Sequence, residues 1–138
     1  MNSEKNQTDF LAAEQLFEDA EKALEQGDAT QAEKLLRQVV AKNPNFSYAY
    51  RLLAELVAAS RRYTEAIRLL DQCIRNDDGY SYAYYLSAKC RYRSGDADTA
   101  SRFLAKARAL EPESRLYRHA DTLIRGQIRR RHASPSVP

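Results

Sequence analysis

The four letters SYAY occupy residues 47–50 and return at residues 81–84. Their surroundings return with them: Ala54 recurs as Ala88, Ala66 as Ala100 and Leu70 as Leu104, each at a separation of 34 residues. A fixed period of this length marks a chain built by stacking one supersecondary unit on copies of itself. Sliding the sequence by that period aligns three blocks, 13–46, 47–80 and 81–114, and a fourth start opens at Arg115.

Each block reads as two helical stretches joined by a tight turn. In the first, residues 13–26 lead to Gly27-Asp28, and residues 30–42 run to Asn43-Pro44. In the third, residues 81–94 lead to Gly95-Asp96, and residues 98–110 run to Glu111-Pro112. Glycine suits a helix C-terminus, where the chain turns through positive φ. Proline ends the second helix and leads into the next unit. The second block departs at both points, with Arg61-Arg62 in place of the glycine turn and Asp78-Gly79 in place of the proline. Small residues recur inside the helices: Ala20, Ala54 and Ala88 in the first of each pair, Ala32, Ala66 and Ala100 in the second. Alanine on both partners lets antiparallel helices approach to roughly 8–10 Å. Leu16, Tyr50 and Tyr84 on the first helices, and Leu36, Leu70 and Leu104 on the second, then fill the space around the crossing.

Taken together, the period, the paired small residues, the Gly-Asp turn and the closing proline resemble the tetratricopeptide repeat. The resemblance covers residues 13–114 and extends to the helix after them. It implies an all-α, right-handed solenoid of antiparallel helix pairs, about seven helices in all, with a concave groove. Two residues depart from the family pattern, Asp19 and Ser87, which stand at usually apolar positions. Residues 113–130 resemble the solvating helix that closes such arrays. Leu116, Tyr117, Ala120, Leu123, Ile124 and Ile128 follow helical spacing there, with Arg118, Arg125 and Arg129 available to water. The expected organisation is a single domain over 9–130, with disordered ends at 1–8 and 131–138.

The composition fits this reading. The 138 residues suffice for one domain with a core, and good helix formers are abundant. A net charge of +3 conceals a split: residues 1–34 hold nine acidic and three basic side chains, and the remainder ten acidic and nineteen basic. Such asymmetry points to an electrostatic partner, inside or outside the molecule. Residues 1–8 lack the apolar segment of a secretory leader, and no apolar run reaches the roughly 18 residues of a membrane span. The expected location is cytoplasmic. Cys73 and Cys90 have no metal-binding or redox spacing and read as buried thiols. His119 and His132 lack partners at catalytic or ligand spacing, and no glycine-rich phosphate loop is present. Asp77-Asp78 reads as a solvated turn. Neither enzyme activity, metal nor cofactor is expected.

Binding is the stronger expectation. The face of each first helix turned away from its partner follows i, i+3, i+4, i+7 spacing. It carries Glu14, Phe17, Glu21 and Leu24 in the first block, and Tyr48, Arg51, Glu55 and Ala58 in the second. In the third it carries Tyr82, Tyr85, Lys89 and Tyr92, with Arg93 beside it. The resemblance places these stripes on the concave surface, aromatic and basic in its centre and C-terminal part. Tyr50 and Tyr84 fall to the core; Tyr48 and Tyr82 fall either to the groove or to the packing between repeats. Phe17, Tyr48, Arg51, Tyr82, Tyr85, Lys89, Tyr92 and Arg93 are the candidate contacts for a partner segment. Tyrosine offers large contact area for little rotamer entropy, and the cations suit carboxylates. Family members that grip chaperone C-termini use Lys and Asn where this chain has Phe17 and Glu21, so that ligand is not expected. Alternatives are a chaperone of the bacterial type III secretion kind and a self-assembling scaffold joining the acidic and basic halves of different copies. Nucleic-acid binding through residues 129–132 is weaker than a solvated, dipole-complementing helix end.

Overall fold

The computed structural model describes residues 2–133, and among these the chain forms seven α-helices and no strand. They are α1 (Asn2–Glu25), α2 (Ala29–Lys42), α3 (Ser47–Ala59), α4 (Tyr63–Asn76), α5 (Ser81–Arg93), α6 (Ala97–Leu110) and α7 (Arg115–Ala133). The helices fall into two compact units, Met1–Asp77 and Asp78–Pro138. The division lies beside the Asp78-Gly79 turn, inside the stretch read from sequence as one domain. In the N-terminal unit α1 packs on α2, α2 on α3 and α3 on α4; in the C-terminal unit α5 packs on α6 and α6 on α7.

The recurring alanines sit at the helix contacts. Ala20, Ala32, Ala54, Ala66, Ala88 and Ala100 are all buried, as are Leu36, Leu70 and Leu104. Burial of each such leucine stabilises the fold by about 2–3 kcal/mol relative to exposure. Tyr50 and Tyr84 are buried, in the core as their positions in the repeat require. Leu16, their counterpart in the first block, is only half-buried. Ser87 is fully enclosed, and its hydroxyl accepts from Arg91 Nε at 3.3 Å. The Arg91 guanidinium in turn lies 4.3 Å from the Phe103 ring centroid. Asp19 is half-exposed and accepts from Gln15 Nε2 at 3.2 Å.

Both ends are more helical than the sequence reading had them. α1 begins at Asn2, because nothing before Gly27 breaks the helix and Thr8 Oγ1 donates back to the Glu4 carbonyl at 2.9 Å. α7 continues through Ala133. Met1 and residues 134–138, also assigned to disordered ends, lie outside the described residues.

The turns explain the second block's departures. Gly27 and Gly95 take φ of +75° and +96°, and the aspartate after each caps the next helix. Asp28 accepts from the Gln31 amide at 3.0 Å and Asp96 from the Thr99 amide at 3.1 Å. Arg61 adopts the same left-handed geometry at φ 63°, which costs a residue with a side chain roughly 1–2 kcal/mol. Arg62, at the N-cap of α4, makes no capping hydrogen bond. Its guanidinium instead reaches Glu33 of α2 at 2.6 Å, while Arg37 of α2 bonds both Glu33, at 2.9 Å, and Glu65 of α4. The second block thus trades a cap for a four-membered ion network that ties α2 to α4. Asn76 adds a bond from its side-chain amide to the Pro44 carbonyl at 2.8 Å.

The guanidinium of Arg62, aided by that of Arg37, holds the Glu33 carboxyl at about 2, against an ordinary value of 4.5. Because the folded carboxyl is the stronger acid, its contribution is complete above the ordinary carboxylate range. It is lost as pH falls from there through about 2. Partly exposed pairs contribute about 0.2–1 kcal/mol each. Glu33→Gln is therefore expected to lower stability by about 1 kcal/mol at pH 7 in urea unfolding. The gap from wild type should close as the pH approaches 2; a gap that stayed constant with pH would remove the network from the account.

Candidate functional site

In the C-terminal unit, α5 carries a one-sided series at helical spacing: Tyr82, Tyr85, Lys89 and Tyr92, with Arg93 alongside. Tyr82 stacks on Tyr85 with ring centroids 5.6 Å apart, and Tyr85 stacks on Tyr117 of α7 at 5.4 Å. Tyr117 is buried. Its hydroxyl lies 3.1 Å from that of Ser81, which donates to Glu111 Oε1 at 2.6 Å. Its amide donates to Ser114 Oγ at 3.2 Å, which caps α7. The end of the tyrosine stack is thereby pinned to the start of α5, the α6–α7 turn and the first turn of α7.

Beyond the stack, α5 and α7 enclose a cavity of about 300 Å³. Tyr85, Ala88 and Tyr92 form one wall, Ala120, Leu123 and Ile124 the other, and Lys89 and Arg93 stand at its lining. The small side chains Ala88 and Ala120 leave room that the larger rings border. Tyr85 and Tyr92 are half-buried, Lys89 and Arg93 exposed, and Leu123 retains 51% of its surface. Among the described residues neither Lys89 nor Arg93 is held in an ion pair. Burial pushes the Tyr85 hydroxyl upward, with Arg93 opposing, so it remains a neutral donor. The arrangement offers apolar and aromatic walls beside two uncommitted cations. It suits a bulky apolar side chain flanked by a carboxylate.

The other candidate residues lie in the N-terminal unit. Phe17 packs on Phe46 at 4.8 Å and edge-on to Tyr48 at 5.5 Å. Tyr48 keeps 40% of its surface. The Arg51 guanidinium lies 4.5 Å from the Tyr48 ring centroid and bonds Glu55 at 2.7 Å. Arg51, chosen as a cation for a partner's carboxylate, is already engaged by a carboxylate one turn away. The wall contributed by α7 was missed as part of the site, because helical spacing assigned Leu123 and Ile124 to one buried face. Ile124 is buried, whereas Leu123 and Leu116, at 46%, stay exposed. Their seven-residue separation is the signal that would have marked a second, unpartnered stripe.

The sequence matches the family profile described as Tetratricopeptide repeat over residues 23–72 and 57–122, most of the chain. The chain belongs to the tetratricopeptide-repeat family. Solved structures of tetratricopeptide-repeat proteins share its fold. The first such domain of Spaghetti (RPAP3), bound to an HSP90 peptide, is 16% identical with a TM-score of 0.82, covering 86% of this chain and 94% of its own. A yeast Sti1 domain in complex with an Hsp70 peptide is 20% identical with a TM-score of 0.79, covering 85% and 98%. The Yersinia enterocolitica type III secretion chaperone SycD, with a peptide of the translocator YopD, is 19% identical with a TM-score of 0.71, covering 82% and 86%. No curated protein matches the chain by sequence. The all-α tetratricopeptide solenoid is thus the fold.

Among the described residues no helix is long and apolar enough to cross a membrane, and no group of three or more His, Cys, Asp or Glu side chains could hold a metal ion. Both thiols are buried. Burial, with Asp77 adding and Arg51 opposing, pushes Cys73 up to about 11, and burial likewise raises Cys90. Thiolate is the reactive form, so neither cysteine is a nucleophile in the folded protein. A disulfide reagent at pH 8 is expected to modify neither within minutes and both after denaturation. Rapid modification of the native protein would show that these helices open locally.

Proposed function

We propose that this tetratricopeptide-repeat protein is a non-catalytic interaction module, cytoplasmic, that holds a segment of another protein. The cavity between α5 and α7 is its anchor. One observation carries the reading: half-buried Tyr85 and Tyr92 and exposed Leu123 border the same open space as Lys89 and Arg93, which no acidic side chain among the described residues pairs. Burying an apolar side chain there supplies affinity, and Lys89 and Arg93 supply preference for a nearby carboxylate. Peptide complexes of proteins with the same fold support this use of the architecture. In the N-terminal unit Phe17 packs among aromatic rings and Glu21 is exposed, an environment that disfavours a terminal carboxylate and so a chaperone tail. The narrower reading, an export chaperone, has SycD's fold in its favour and no residue that singles it out.

Selection from a phage-displayed random peptide library tests the proposal. Enriched peptides are expected to pair a bulky apolar residue with acidic neighbours. The double variant Tyr85→Ala, Arg93→Ala should bind them about thirtyfold or more weakly at unchanged helical circular dichroism. Equal affinity in the double variant would place binding elsewhere.

A further inference from the structure

The first turns of α1, ahead of the first repeat, leave two large apolar side chains half-exposed. Phe10 and Leu11 of α1 are 48% and 59% exposed. One turn further along the same face stands Glu14, and one turn beyond it Glu18, both exposed. Neither carboxylate is held in an ion pair among the described residues. The series is apolar, then acidic, then acidic at four-residue steps.

The cavity of the C-terminal unit presents the complementary series. Tyr85 and Leu123 border its apolar part, and Lys89 and Arg93 follow along α5 at the same four-residue step. Four residues of helix rise about 6 Å on either side, so both charge pairs can meet once the apolar groups engage. Overall charge agrees. From Asp78 onward the sequence holds six acidic and twelve basic side chains, against nine acidic and three basic in residues 1–34.

We propose that α1 of one copy docks its Phe10–Leu11 face into the α5–α7 cavity of a second copy, with Glu14 and Glu18 meeting Lys89 and Arg93. This rests on the cavity's being the binding site proposed above and names an occupant for it. The contact joins unlike surfaces, so each copy keeps one free donor helix and one free cavity, and assembly proceeds head to tail. A partner segment with an apolar residue and following carboxylates would compete for the same cavity. Self-docking then keeps the site covered until such a segment arrives.

Sedimentation velocity on the full chain, from about 1 µM to about 500 µM and in low and high salt, tests this. Wild type is expected to self-associate with rising concentration, about tenfold or more weakly in high salt, since exposed charge pairs are screened. Phe10→Ala, Leu11→Ala should weaken association about tenfold or more, without loss of fold because both side chains are exposed. Lys89→Glu, Arg93→Glu and, separately, Glu14→Lys, Glu18→Lys should each be monomeric alone, while their equimolar mixture regains association. A monomeric wild type at the highest concentration, or a mixture that stays monomeric, overturns self-docking. If the selected peptides still bind at Tyr85 and Arg93 in that case, the cavity remains a binding site and only its self-occupant is rejected. If they do not, the site itself is wrong.

Discussion

Helices that cross on alanine approach closely and, for that reason, leave their outer faces bare. Every pair in this chain crosses in that way, with Ala20 and Ala32, Ala54 and Ala66, and Ala88 and Ala100 buried at the same points of the repeat. A helix pair so joined has a narrow core and cannot enclose large side chains placed on its flanks. What those flanks carry is therefore free to differ from block to block without cost to the array. The tyrosines of α5 exploit this freedom. Tyr84 turns inward and is buried, while Tyr82, Tyr85 and Tyr92 stay half-buried, and Tyr85 stacks on Tyr117 of α7.

The cavity exists because α7 is held at one end and left apart at the other. The hydrogen-bonded group of Ser81, Glu111 and Tyr117 fixes the first turn of α7, and the Tyr85–Tyr117 stack sets its distance from α5. Further along, Ala88 faces Ala120 across the space, and two alanines do not fill what two large residues would. Arg108 and Arg125 bond Asp121 on the α6 side, each at 2.9 Å, so α7 is committed to α6 there. An apolar gap beside Lys89 and Arg93, neither ion-paired among the described residues, follows from this arrangement of supports.

Much of the fold was legible from the period alone, since Gly27, Gly95, Pro44, Pro112 and the alanines each act through local backbone geometry or close approach. The features that escaped depend on pairs far apart in sequence or on a residue acting against type. Arg61 holds a left-handed turn that composition reserves for glycine. Arg62 has no acceptor with which to cap α4, and its partners Glu33 and Glu65 come within reach only once the helices have packed. The early start of α1 escaped because a polar segment without helix breakers looks the same whether or not it is folded. At the site, the face of α5 was readable from i, i+4 spacing, so Tyr85, Lys89 and Tyr92 were found together. The part played by Leu123 was not, since a leucine in an apolar series gives no sign of which neighbour fails to cover it. Arg51 was read as available, and its bond to Glu55 shows that the same four-residue spacing that exposes a cation also offers it a partner.

The central claim, that another chain is held between α5 and α7, is tested most directly by amide chemical-shift mapping with a saturating selected peptide. The account requires the largest shifts at Tyr85, Lys89, Tyr92, Ala120 and Leu123, with small ones along α2 and α4. Shifts confined to α2 and α4, with α5 and α7 unmoved, would contradict it.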